Sequence, residues 1–380
     1  MRWKIRPEDF RVEERVALSI EPSGPYTLYR VRKWGRTTLE VQAELAARLG
    51  VSQRAVIFPA LKDRWAIAVQ IAAIRGQGPE RIWGPGFEAV RIGYASRPPR
   101  PQDLRGNRFW VRLRALTREE LEGLPQVAAE LAAEGFPNYF DDQRFGSWSP
   151  EMGFVGRALL RGQAEDVLRM VLAVPMAGDP PAIRAFKAEA RARWGDWAAL
   201  FAHAPRPSMQ RSLLTFLKDH PTDLRGAVRR IPLRLRLLWV DAYRAWLWNR
   251  AVGYGLGPEA RHRVLIRGEE FPLPDRAPPE AQGLFALPHR RARDAPPWAE
   301  AMARVLEEEG LSLADFRRGP LLEEAPPPTR RPIWCRPVFL ELRREAPEAG
   351  EAILCFELPP GSYGTLLLKA LAARRSPCQR

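Results

Sequence analysis

Val56-Ile57-Phe58-Pro59-Ala60-Leu61-Lys62-Asp63-Arg64-Trp65-Ala66-Ile67-Ala68-Val69 places three consecutive charges inside an otherwise apolar run. A carboxylate carried into a core is costly unless it is paired or hydrogen-bonded. Two readings follow. Lys62-Asp63-Arg64 is either a solvated turn between two strands or the approach to a strand entrance where Asp63 faces a cleft. The residues after it, Ile67 to Ile74, are β-branched or small and apolar, broken only by Gln70, and predict a well-buried strand.

Upstream, Lys4 to Glu14 alternates apolar and polar after Pro7, as a short strand with one wet face does. Leu28 to Lys33 alternates again, with Tyr29 and Val31 on one face and Arg30 and Arg32 on the other. Thr37 with Glu40 forms a capping box, Val41, Leu45 and Leu49 recur at helical spacing, and Gly50 supplies a stop, so 38–49 is an amphipathic helix.

Downstream, period-two sorting of Asn107 to Arg114 puts Asn107, Phe109, Val111 and Leu113 on an apolar face and Arg108, Trp110, Arg112 and Arg114 on a cationic one. Thr117 with Glu120 repeats the capping box, and 125–134 reads as a helix ended by Gly135. Asn138 to Gly146 is dense in aromatics and side-chain amides. It is either a recognition loop or a turn whose aromatics plug the core beneath.

From about residue 148 the sequence is helix-rich, with Arg clusters and Pro-rich interruptions. In 239–252, Trp239, Val240, Tyr243, Trp246 and Leu247 share a helical face, which reads as core, with a base-stacking platform as the alternative. Arg225, Arg229, Arg230, Arg234 and Arg236 accumulate with no acidic residue from Leu224 to Val240, as a phosphate-contacting patch or a solvated face would. Beyond a Pro-rich boundary near 326–332, residues 337–342 and 352–358 read as strands, and Gly361 to Thr365 opens a final helix.

Composition bounds the function. The 380 residues carry 60 Lys+Arg against 45 Asp+Glu, a net charge of +15 that favours a polyanionic partner. No apolar run approaches a membrane span, and the N-terminus lacks a signal-peptide core, which predicts a cytoplasmic protein. Cys335, Cys355 and Cys378 have no short pair spacing, and His203, His220, His262 and His289 lie far apart, so neither structural zinc nor a disulfide framework is expected.

Five stretches in one order resemble the TruD family of tRNA pseudouridine synthases. Lys4 to Glu14 resembles its K-x-x-P-E-D-F-x-V-E-E opening, Lys62 to Ala66 its K-D-x-x-A motif and Gly106 to Phe109 its G-N-x-F motif. Asn138 to Gly146 resembles N-Y-F-x-x-Q-R-F-G, and Phe356 to Thr365 resembles F-x-L-P-x-G-S-Y-A-T. Asp141 stands where the family commonly has Gly, Gly364 where it has Ala, and Pro59-Ala60 where a glycine-containing lead-in is usual.

The resemblance implies an α+β fold: a pseudouridine-synthase-type catalytic domain with a mixed, largely antiparallel sheet, interrupted by an inserted helix-rich TRUD domain. Its parts would be 1–147, the insertion 148–330, and 331–380. The implied activity is isomerisation of a uridine, uridine 13 of tRNA, to pseudouridine with no cofactor or metal. Asp63 would be the catalytic aspartate, Phe109 the stacking residue for a flipped base and Asn107 its amide partner. Lys4 would pair with Asp63 and keep it ionised. Phe10, Asn138, Gln143 and Arg144 complete the implied substrate-binding set. The partner would be tRNA, met by a monomer without an obligate protein partner or a membrane. The alternative is a non-catalytic RNA-binding or RNA-remodelling module on the same fold.

Overall fold

The computed structural model describes residues 1–62, 64–176, 178–257 and 260–375. They form two compact units, Met1–Pro137 with Cys335–Arg380, and Asn138–Trp334. The division falls ten residues before the expected boundary at 147, because the aromatic loop that begins at Asn138 packs inside the second unit.

In the first unit, nine strands make one sheet: Phe10–Val16 (β1), Tyr26–Lys33 (β2), Val56–Ile57 (β3), Ile67–Arg75 (β4), Arg81–Gly84 (β5), Phe87–Ala95 (β6), Leu104–Leu113 (β7), Phe339–Ala346 (β8) and Glu351–Leu358 (β9). Their order is β8-β9-β7-β1-β4-β2-β6-β5, with β3 beside β4. Pairing is antiparallel throughout except between β1 and β4, which run parallel with Val12 opposite Ala68. The sheet is thus mixed and largely antiparallel, and β1 and β4 share its centre.

The expected alternation sorts the faces. Tyr29 and Val31 are buried while Arg30 and Arg32 are exposed; on β7, Phe109, Val111 and Leu113 are buried. Thr38–Leu49 (α1) begins at the capping box, where Thr37 Oγ1 accepts from Glu40 N and Glu40 Oε2 accepts from Thr37 N. The Thr37 backbone bond holds the Glu40 carboxyl below its usual range; burial opposes this, and the Thr37 hydroxyl and Arg64 reinforce it. Gly50 ends α1 in the left-handed conformation, φ 64°. Val41 and Leu45 of α1 pack with Tyr29, Val31, Ala72, Ile74 and Phe87 of the sheet.

The second helix, Arg118–Glu134 (α2), starts directly after Thr117 rather than at Pro125, which lies inside it. Its cap nucleates the helix, and Leu121, Leu124, Ala128 and Leu131 bury one face on both sides of the proline. The loss of one backbone donor at Pro125 is tolerated there. A closing helix, Gly364–Arg375, buries Leu366, Leu367, Leu368 and Leu371.

The second unit contains helices Val155–Leu160 (α3), Ala164–Leu172 (α4), Pro181–Ala192 (α5), Trp197–His203 (α6), Met209–Asp219 (α7), Leu224–Arg229 (α8), Leu233–Leu256 (α9) and Trp298–Glu308 (α10). The 24-residue α9 is buried over much of its circumference, with Val240, Tyr243, Trp246 and Leu247 in the core as their spacing predicted. No helix among the described residues is long and apolar enough to cross a membrane.

Candidate active site

Beyond the strand pairing of β1, a buried ion pair ties the N-terminal motif to β7. Asp9 is fully buried, and both its carboxylate oxygens accept from Arg114 just past β7, at 2.7 to 3.0 Å. Arg114 also pairs with Glu351. Burial alone would raise the Asp9 carboxyl, but the Arg114 bonds, with the Arg6 backbone N–H, hold it below the usual carboxylate range. This anchor places Phe10 at the start of β1, and the Lys4 ammonium lies over its ring, 4.6 Å from the centroid.

Val12 pairs with Phe109 across β1 and β7, and Phe356 pairs with Phe109 across β7 and β9. Phe10 meets Phe109 edge-on at 5.8 Å, while Phe356 stacks on it at 4.8 Å. Gly364 gives this ring its seat: a Cβ there would lie 2.9 Å from Phe109. A methyl group at 364 would press on the edge of the Phe109 ring. Gly106, the first residue of its motif, lets two backbones approach, since a Cβ would fall 2.5 Å from Leu358 O.

Beside the aromatic cluster lies a polar one. Glu14 stands opposite Asn107 in the β1/β7 register. Lys62 Nζ bridges them, 2.7 Å from Asn107 Oδ1 and 3.1 Å from Glu14 Oε1. Gln70 of β4 donates to the same Glu14 oxygen at 2.9 Å and to Ala60 O. Thr38 donates to Gln70 Oε1 and accepts from the Lys62 backbone N–H, both at 2.8 Å. Arg64 pairs with Glu40 at 2.7 Å. Lys62 and Arg64 are thus both tied to the first turn of α1, Lys62 half-buried and Arg64 exposed in a turn at 64–65. Asp63, between them in sequence, lies outside the described residues, and so does its expected pairing with Lys4.

The family model for tRNA pseudouridine synthase D (TruD) matches residues 1–269. The chain belongs to the TruD family. Its relatives include a probable tRNA pseudouridine synthase D of Archaeoglobus fulgidus, 30% identical over 96% of this chain and 93% of that one. A probable enzyme of the same name from Methanopyrus kandleri is 29% identical over 92% and 86%. The tRNA pseudouridine synthase D of Aquifex aeolicus is 25% identical over 98% of each. A crystal structure from Methanosarcina mazei with the same family designation superposes with a TM-score of 0.68 at 24% identity, covering 97% of this chain and 92% of that one. The TruD family is one of isomerases, and the α+β fold with a helix-rich insertion is its fold.

The remaining candidates of this TruD chain lie in the second unit. Asn138 is buried and fully engaged: its N–H donates to Ile333 O, its Nδ2 to Pro332 O, and its Oδ1 accepts from Arg331. It shapes the loop, and no polar group of it is left for a substrate. Asn249 of α9 grips Phe140 at both backbone groups, each 2.8 Å, and Tyr139, Phe140 and Phe145 are buried. The aromatics therefore plug a core. Gln143 is exposed and Arg144 half-buried, with its guanidinium 5.8 Å from the Phe140 ring centre.

The Arg cluster divides as well. Arg236 is buried, donating to Ile231 O and Leu321 O and pairing with Glu323, so it is a structural cation and leaves the expected phosphate patch. Sequence reasoning missed Glu14, Thr38 and Gln70. The signals were present: Glu14 continues the buried series Phe10, Val12, and Gln70 is the lone polar residue of β4.

Proposed function

We propose that the chain converts a uridine of tRNA, uridine 13, to pseudouridine, with Asp63 as the catalytic carboxylate and no cofactor. One observation carries the reading: of the residues that flank Asp63 in sequence, Lys62 is bonded to Asn107 and Arg64 to Glu40 of α1, while Phe10 and Phe109 of the other motifs meet on the sheet with Lys4 over the Phe10 ring. An aspartate with an ordinary pKa of roughly 3.9 is ionised at neutral pH and needs no histidine to activate it.

In this reading the target base leaves its stack, Phe109 meets its face and Asn107 its edge. The Asp63 carboxylate assists rupture of the N1–C1′ bond, and the ring turns before C5 bonds to C1′. The C5 proton is then lost and N1 gains one. Lys4 keeps the carboxylate ionised. Gln143 and Arg144 contribute contacts to RNA from the second unit, and the net charge of +15 supports binding to a polyanion. The enzyme acts as a cytoplasmic monomer.

Release of tritium from tRNA transcripts labelled at uridine C5, with the modified nucleotide mapped, tests the reading. Stoichiometric release from position 13 is expected. RNA binding without release from any position would establish a non-catalytic RNA-binding module in its place.

A further inference from the structure

Lysine carries three donors and no acceptor. The Asn107 atom 2.7 Å from Lys62 Nζ must therefore be its oxygen, which turns the amide NH2 group the other way. There, among the described residues, that group donates to nothing. The lysine is itself immobilised by the Glu14 pair and by its backbone bond to Thr38. Glu14 has a fully buried side chain, and its Oε2 has no hydrogen-bond partner among the described residues. A buried ion pair with an orphaned oxygen is a poor way to gain stability. Its effect is to fix one charge, and through it one orientation of one amide.

We propose that Glu14 and Lys62 are positioning residues that lock Asn107 as a hydrogen-bond donor toward a uracil carbonyl, so that the site holds uracil in both ring orientations of the reaction and rejects cytosine. This rests on the reading that Asn107 meets the flipped base. Exchanging N1 for C5 at the sugar turns uracil half a revolution about its N3–C6 line, and that turn also exchanges O2 with O4. A fixed donor that meets one carbonyl before the turn meets the other after it. Cytosine, with an amino group on C4, faces the same donor with a donor in one of the two orientations. An amide free to flip would present its oxygen part of the time and lose both properties.

The pair is removed as a unit in Glu14→Gln/Lys62→Met, which leaves no orphaned charge. Asn107→Asp keeps an oxygen toward Lys62 but replaces the outward donor with an acceptor. Two readouts are needed: tritium release at saturating tRNA, and competition binding by transcripts carrying uridine or cytidine at the target position. Wild type is expected to prefer the uridine transcript by about tenfold or more. The double variant should narrow that preference to within about threefold and lower kcat about tenfold, with KM within about threefold. Asn107→Asp should lower kcat about a hundredfold or more. A purely structural role would lower the melting temperature and leave the uridine-to-cytidine ratio unmoved.

An unmoved ratio in a folded double variant, or Asn107→Asp with kcat within about threefold of wild type, would overturn the lock. If the double variant does not fold, Asn107→Asp decides. Wild-type tritium release reports on the isomerase reading separately. An active wild type with an unmoved ratio removes only the lock, whereas an inactive wild type removes the isomerase reading.

Discussion

The ring of Phe109 on β7 lies 4.8 Å from that of Phe356 on β9, 17° from parallel, so one aromatic face of the site is already stacked on protein. Such a pair contributes about 0.5–1.5 kcal/mol beyond its area burial. Phe109→Leu keeps most of the apolar volume and removes the flat ring. It should cost less than about 1.5 kcal/mol in denaturant unfolding while lowering turnover about tenfold or more, the scale of one lost base-stacking contact. Unchanged turnover at saturating tRNA would assign Phe109 to packing alone.

For Asp63, substitution separates chemistry from binding. Asp63→Asn removes the ionisable carboxylate and should reduce tritium release by at least about a thousandfold, with tRNA affinity within about threefold in filter binding. Residual activity within a few-fold of wild type would move the catalytic role to another residue.

Asp9 gives the fold an acid-sensitive joint. Its carboxyl titrates below the ordinary range in the folded protein, so its contribution is present above the unfolded pKa, roughly 3.9, and disappears as pH falls through the folded value. Asp9→Asn should destabilise the protein by about 1–3 kcal/mol at pH 7. The deficit should shrink between about pH 4 and lower values, where wild type loses the same ion pair. Melting curves across that range check both the sign and the window.

The arginines of the helical unit should part company in salt titrations. Arg225 and Arg234 are exposed, and changing each to Ala should weaken tRNA binding and reduce the slope of log affinity against log salt by about one. Arg236→Met should instead lower unfolding stability by about 1–3 kcal/mol, through the carbonyls of Ile231 and Leu321 that it leaves unmet, with the salt slope unaltered.

Local rules carried the sequence a long way. The capping boxes at Thr37 and Thr117, the alternation on β2 and β7, and the apolar stripe of α9 are each decided within a few residues, and each is where the sequence placed it. The start of α2 was obscured because Pro125 looks like a first-turn residue, while the cap eight residues earlier governs. Arg236 looks like its neighbours in a charge run, and only packing decides which member turns inward. The polar network joining Glu14, Thr38, Lys62, Gln70 and Asn107 spans five segments, β1, α1, the loop before β4, β4 and β7. No spacing rule links them, since the β1/β4 and β1/β7 pairings bring them together.

Because β9 completes the sheet by pairing with β7, synthesis of the chain leaves β7 with a bare edge while the whole second unit is made. At roughly 5–20 residues per second that interval lasts on the order of ten seconds or more. Phe356 and Gly364, which seat Phe109, leave the ribosome only after the whole second unit, Asn138–Trp334. A nascent chain therefore carries the Lys62-Asp63-Arg64 segment long before it has the aromatic seat, and the site can assemble only after the second unit has been made. Until then the open β7 edge is the place where a truncated or stalled chain would pair with a neighbour and aggregate.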